Sequence, residues 1–172
     1  MLLRIKQFSE LDPQKLMGIY SESNFENTDY FYPDEKDKDK ALLMVEAGFI
    51  DFLRNDFFGH DGATYWVLEE NGIWVSALRT CLVRPKTYYL EALETRPDHR
   101  ARRYGSKLLQ GVLEALEMDG SFKLCDCVSK KNAASLKTHE KCGFQIVAEK
   151  GYDYLNMTAD ELDYGMEYRY HV

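Results

Sequence analysis

The chain has 172 residues, 45% of them hydrophobic and 13% aromatic, and a formal net charge of −7 from 29 acidic against 22 basic side chains. That is enough for one domain with a real core and too little for two comfortable ones, so residues 1–172 are read as a single domain. The acidic balance disfavours nonspecific binding to nucleic acid or anionic lipid and favours a cationic partner. No apolar run approaches membrane-spanning length, and Met1 to Phe8 lacks the charged, apolar, then small-residue order of a secretory leader, so the expected location is cytoplasmic.

In chain order, Leu2 to Phe8 alternates as a first strand, and Asp12-Pro13 supplies an N-cap followed by proline at the first helical position, opening a helix to about Ser23. Asn24 to Asp39 has no sustained period and is expected to be a loop carrying Tyr30, Phe31 and Tyr32. Leu42, Val45, Phe49, Phe52 and Leu53 give Ala41 to Phe58 helical spacing. Ala63 to Leu68 and Ile73 to Val83 read as strands joined at Glu70-Asn71-Gly72, a strong hairpin signal. After the Arg84-Pro85-Lys86 turn comes a strand from Thr87 to Thr95. A helix from about 103 to 118, a strand from Phe122 to Val128, a helix from Asn132 to Cys142 closed by Gly143, and strands at Phe144 to Glu149 and Gly165 to His171 complete the pattern.

One junction concentrates chemistry. Where the Thr87 strand gives way to the next helix, Arg100-Ala101-Arg102-Arg103-Tyr104-Gly105-Ser106 gathers three arginines and a glycine. The first turn of a helix leaves backbone N–H groups without partners and carries the positive end of the macrodipole, which together suit a pyrophosphate. Leu108, Leu109, Val112, Leu113 and Leu116 form the stripe that holds this helix on a core.

The segment Leu93 to Leu109 resembles the strand-to-helix motif of the GNAT superfamily of acyl-CoA-dependent N-acyltransferases, whose core is Arg or Gln, two residues, Gly, one residue, then Gly or Ala. Asn132 to Phe144 is similar to that superfamily's downstream helix, ending here in His139-Glu140-Lys141-Cys142-Gly143-Phe144. The two blocks, with a strand between, cover roughly residues 88–147. The resemblance implies an α/β fold with a mixed, mostly antiparallel sheet of about six to seven strands flanked by helices. It also implies acetyl-CoA as acyl donor, no metal, and direct transfer to a primary amine of a small molecule or peptide. Nucleic acid and membrane are not expected partners, and a homodimer is the candidate assembly.

On that reading the donor's pyrophosphate rests on Arg100, Ala101, Arg102, Arg103, Tyr104, Gly105 and Ser106, its pantetheine arm lies along Leu93, Glu94 and Thr95 as an added strand would, and Asn132 and Ser135 contribute from the second helix. Asn132 is first of all an N-cap. Arg103 departs from the pattern, placing a side chain where the superfamily has its first glycine, and Ala101 is a milder change.

Two residues are catalytic candidates. Strand alternation puts Tyr89, Glu91 and Leu93 on one face and Glu94 on the other, and Glu91 is chosen over Glu94 as general base, against the plainer reading of a solvated carboxylate. His139 stands where many members of the superfamily carry a tyrosine that protonates the leaving sulfur, and its alternative role is packing alone. Glu22, Glu26 and Asp29, with Tyr30, Phe31 and Tyr32, are expected to shape an acceptor lip, and Tyr152, Tyr154 and Tyr164 to border it. Cys125, Cys127, His139 and Cys142 do not have zinc-site spacing, since Cys-Asp-Cys on a strand cannot wrap a metal; reduced core thiols are expected, with Asp126 pointing the opposite way, toward the acceptor side. The competing reading is a noncatalytic acyl-CoA-binding or partner-binding module, and Arg103 is the residue that favours it.

Overall fold

The computed structural model describes all 172 residues. One seven-stranded sheet organises the chain: β1 (Leu2–Ile5), β2 (Thr64–Glu70), β3 (Ile73–Arg84), β4 (Thr87–Thr95), β5 (Phe122–Ser129), β6 (Gln145–Ala148) and β9 (Asp163–Tyr170), in the order β1-β2-β3-β4-β5-β9-β6. Only β4 and β5 run parallel. A separate two-stranded hairpin, β7 (Gly151–Asp153) and β8 (Thr158–Asp160), lies between β6 and β9 in sequence and has no counterpart in the sequence reading.

Helices cover both faces. One face carries α1 (Pro13–Ile19), α2 (Ser21–Glu26), α3 (Thr28–Phe31) and α4 (Lys38–Asn55); the other carries α5 (Tyr104–Glu117), with α6 (Ala133–Lys141) beside it. Asp12 caps α1 through Lys15 N, with Pro13 in the first turn, as the dipeptide predicts. The Asn24–Asp39 segment differs from the expected loop, because α2 runs on to Glu26, α3 follows at once, and α4 starts three residues earlier than its apolar period. Asp37 explains that early start: its carboxylate accepts from the amides of Asp39 and Lys40, both at 3.1 Å.

The stripe read on α5 is the buried one, with Leu108, Leu109, Val112, Leu113 and Leu116 packed against Trp66, Val75, Leu78 and Leu90. A second core on the opposite face joins Leu16, Ile19, Tyr20, Leu53, Phe57 and Tyr65. Between β2 and β3, Asn71 and Gly72 take φ of 52° and 79°, the paired positive values of a tight hairpin turn.

The sheet opens at its only parallel seam. Pairing of β4 with β5 stops at Leu90 opposite Asp126, although both strands continue. At the same place β4 bulges against β3: Arg79 faces Glu91 and Ala77 faces Glu94, so Ala92 and Leu93 have no partner on either neighbour. Ala92 is left-handed, with φ 55°. Its carbonyl accepts a 2.7 Å hydrogen bond from Tyr20 Oη, which in turn accepts one of 2.8 Å from Tyr65 Oη.

This bulge overturns the expected alternation. Leu93 joins the α5-side core with Leu90, while Glu94 turns to the α1–α4 face beside Glu91. Ala92→Ile, a β-branched residue forced to positive φ, is expected to lose about 1–3 kcal/mol of stability, and Ala92→Gly to gain up to about 1 kcal/mol, both read by urea denaturation. Equal stability of the two variants would contradict the left-handed bulge.

Candidate active site

The Arg100–Ser106 loop enters α5 through two left-handed residues, Ala101 at φ 62° and Arg103 at φ 65°. Arg103 is the helix N-cap and has no side-chain capping bond. It therefore holds the conformation a glycine would take at the motif's first glycine position, and the loop geometry survives the substitution at the cost of local strain. The amides of residues 101–106 make no hydrogen bond within the protein. They open, with the positive end of a 14-residue helix behind them, onto a cleft of about 760 Å³.

Nearly all the residues expected at the donor site line this cleft: Leu93, Glu94 and Thr95 from β4, then Arg100, Ala101, Arg103, Tyr104, Gly105 and Ser106, then Asn132 and Ser135 from α6. Arg102 is exposed and stands outside it. Asn132 caps α6, its side-chain oxygen accepting from Ser135 N at 3.0 Å. Lys137 and Lys141, one turn apart on α6, also line the cleft and were missed; their signal was the i, i+4 spacing of two cations on the second motif helix.

Arg100 does not point freely into the cleft. Its guanidinium pairs with Glu22 and reaches Glu94 at 3.5 Å, while Nε donates to the Thr95 carbonyl at 3.3 Å. Glu22 and Glu26, expected on an acceptor lip, thus lie along the donor cleft, and Asp29 is turned away to Lys38.

On the other side of β4, a second cavity of about 550 Å³ is walled by α2, α3 and α4 and touches the cleft at Ser23 and Glu94. Phe31 and Tyr32 line it, whereas Tyr30 is 80% exposed and takes no part. Tyr154 packs on Tyr89 and Tyr152 beside the β7–β8 hairpin and lines neither space.

The two candidate bases have different surroundings. Glu91 is bound to Arg79, with Nε to Oε2 at 3.1 Å and both side chains less than a fifth exposed, and that guanidinium lies over Phe52 and Phe57 at 4.9 and 5.5 Å. Glu94 accepts from Ser23 Oγ at 2.9 Å and stands where the cleft and the cavity meet. Burial raises its carboxyl above the ordinary carboxylate value, with Ser23 and Arg100 offsetting part of the rise.

His139 is fully buried and lines neither space. Nδ1 contacts the Ser135 carbonyl at 2.8 Å, Phe144 packs edge-on, and Nε2 lies 2.7 Å from Asp126 Oδ2. The carboxylate is out of line with the ring N–H, so the contact is an ion pair rather than an aligned hydrogen bond. Burial works against charge on the imidazole, the Asp126 carboxylate outweighs it, and the histidine titrates above its usual value; burial also raises Asp126 above its ordinary value, with His139 offsetting part of the rise. Asp126 is indeed opposite Cys125 and Cys127, but it is turned toward α6 rather than free on the acceptor side. All four cysteines are unpaired.

The mixed sheet thus opens at its parallel seam next to a helix start with free amides. Residues 15–144 match the family described as Acetyltransferase (GNAT) family, and the chain belongs to it. No curated protein sequence matches the chain significantly. Among solved structures, PaiA N-acetyltransferase from Thermoplasma acidophilum, in complex with coenzyme A, shares 14% identity at a TM-score of 0.63, with 99% of each chain covered. The ribosomal-protein-S18-alanine N-acetyltransferase of Escherichia coli shares 18% at 0.61, covering 100% of this chain and 96% of its own. YncA of Salmonella typhimurium, a putative acetyltransferase with its cofactor acetyl-CoA, shares 18% at 0.58, covering 100% and 95%. No helix of this chain is long and apolar enough to cross a membrane.

Arg103→Gly is expected to raise the melting temperature and to leave coenzyme A affinity within about fivefold, since one exposed charge is worth at most about 1 kcal/mol. Calorimetry that showed a hundredfold loss would mean that the guanidinium, not the main chain, holds the diphosphate.

Proposed function

We propose that this chain moves the acetyl group of acetyl-CoA directly to a primary amine within a ternary complex. The observation that carries the reading is the unbonded run of amides at residues 101–106, which shares one cleft with Leu93 of the stretch of β4 that has no strand partner. A diphosphate suits the first and an extended amide-bearing arm suits the second. Arg103, Lys137 and Lys141 add positive charge along the same cleft. Coenzyme A in the PaiA structure and acetyl-CoA in the YncA structure support the choice of donor.

In this mechanism Glu94, rather than Glu91, receives the proton of the incoming amine. Glu94 faces both the donor cleft and the inner cavity, and its burial gives it a basicity that an exposed carboxylate lacks. Glu91 is committed to Arg79 and acts by holding that guanidinium in place. As the amine nitrogen bonds to the acetyl carbon, the carbon–sulfur bond breaks; the Leu93 amide polarises the carbonyl, and the thiolate takes a proton from solvent. His139 serves as a positioning residue, bracing α6 against β5 through Asp126 behind the opening.

The noncatalytic reading drew its support from Arg103, whose left-handed backbone instead favours a working cradle.

Acetyl-CoA is expected to raise the melting temperature, and free thiol to appear when a library of primary amines is supplied; donor binding without turnover across that library would replace an enzyme with a binding module. Glu94→Gln is expected to lower kcat about 10²- to 10⁴-fold with donor affinity kept. The sign of the pH effect follows from the base role: activity rises with pH as Glu94 deprotonates, at a value above the 4.5 of a free glutamate, and this limb vanishes in Glu94→Gln. Glu91→Gln should act mainly on stability, between the ~1 kcal/mol of an exposed pair and the ~3–5 kcal/mol of a buried one. A Glu91→Gln protein that is stable but inactive, beside an active Glu94→Gln protein, would reverse the two roles.

A further inference from the structure

We infer that the acceptor is a primary amine carrying an aromatic or similarly bulky apolar arm, with the arm seated in the cavity between β4 and helices α2 to α4. This rests on the acetyl-transfer reading above and names its substrate class.

The cavity's walls are mainly apolar or aromatic, Tyr20, Phe31, Tyr32, Val45, Phe49 and Phe52 among them, with Asn24 and Asn27 as uncharged polar members. Only two charged side chains reach it, Arg79 and Glu94. Arg79 is answered by Glu91 and spread over aromatic faces, so the interior is close to neutral and asks for apolar contact. Glu94 sits at the mouth, where it meets the donor cleft. An amine with its nitrogen at Glu94 and its arm inward matches both charge and polarity, and points the nitrogen at the place where the acetyl group would lie. The volume, about 550 Å³, falls in the range of small-molecule sites, about 300–1,000 Å³.

Gly48 adds an independent observation. It lies within the 18-residue helix α4 and lines the cavity, and a Cβ built there meets nothing within 4 Å. A mid-helix glycine costs about 0.5–1 kcal/mol relative to alanine, and here no packing contact demands it. Gly48 is itself exposed to solvent, so what its missing side chain leaves open is the outer rim of the cavity.

A rival seat exists beyond Glu91, a recess of about 270 Å³ lined by Asp153, Asp160 and Asp163, which would take a second positive charge. Two of those carboxylates are occupied by the backbone of their own hairpin, Asp153 by the amides of Leu155 and Asn156 and Asp160 by that of Leu162. The apolar cavity is therefore the better-supported seat.

The test compares 2-phenylethylamine, ethylamine and putrescine at saturating acetyl-CoA, reading kcat/KM by thiol release. Phenylethylamine should exceed ethylamine by about 10- to 100-fold, the effect of burying an aryl arm. Gly48→Leu, which improves helix propensity while placing a side chain across the cavity's open rim, should melt no lower than wild type, bind coenzyme A as wild type does, and cut the phenylethylamine-to-ethylamine ratio at least tenfold. Gly48→Ala should fall between. As a readout independent of turnover, phenylethylamine should raise the melting temperature of the coenzyme A-loaded wild type and not of Gly48→Leu. Equal rates for phenylethylamine and ethylamine, an unchanged ratio in Gly48→Leu, or putrescine surpassing both would overturn the inference while leaving acetyl transfer intact. Absence of transfer to every amine would overturn the proposed function, and this inference with it.

Discussion

The separation of β4 from β5 beyond Leu90 is the constraint from which the rest of the site follows. A sheet that stops pairing while its strands run on leaves backbone groups in need of partners. Here the gap is held open from one side by a left-handed residue that cannot continue the ladder, tied through its carbonyl to Tyr20 and so to Tyr65 in the core. From the other side α5 packs its leucine stripe against β2, β3 and β4 and aims its N-terminus at the opening. The same bulge sends Leu93 into one core and Glu94 to the opposite face, so a carboxylate stands at the junction of two spaces that a regular strand would have kept apart.

Charge is distributed to match. The chain is acidic overall, yet Arg103, Lys137 and Lys141 collect around free amides at a helix start. Across β4 the one cation of the inner cavity, Arg79, is matched by Glu91 and covered by rings. Behind the opening, His139 and Asp126 form a buried pair whose members each titrate above their ordinary values. Such a pair is weak evidence for stability, because desolvation opposes the attraction; it links α6 to β5.

Much of this was legible in the residues. The α5 stripe, the Asn71-Gly72 turn, the Asp12-Pro13 start and the Asn132 cap each depend on local chemistry, and each appears where its motif stands. Features that tertiary structure imposes were not legible. Alanine carries no signal for positive φ, so the Ala92 bulge and the turning of Glu94 were invisible to an alternation argument. Helices α2 and α3 are too short for a period to register, and β7 and β8 have three residues each. His139 stands three residues after Leu136 on α6 and is fully buried, the packing role that was the alternative to chemistry at its motif position.

The account is tested most directly by the backbone amides themselves. In a 15N-labelled sample titrated with acetyl-CoA, the amides of residues 101–106 should shift strongly and become protected from hydrogen exchange, together with those of Leu93 to Thr95 on β4. Binding that leaves both stretches unshifted and unprotected would contradict it, because the donor would then be held somewhere other than the opened seam and the helix start beside it.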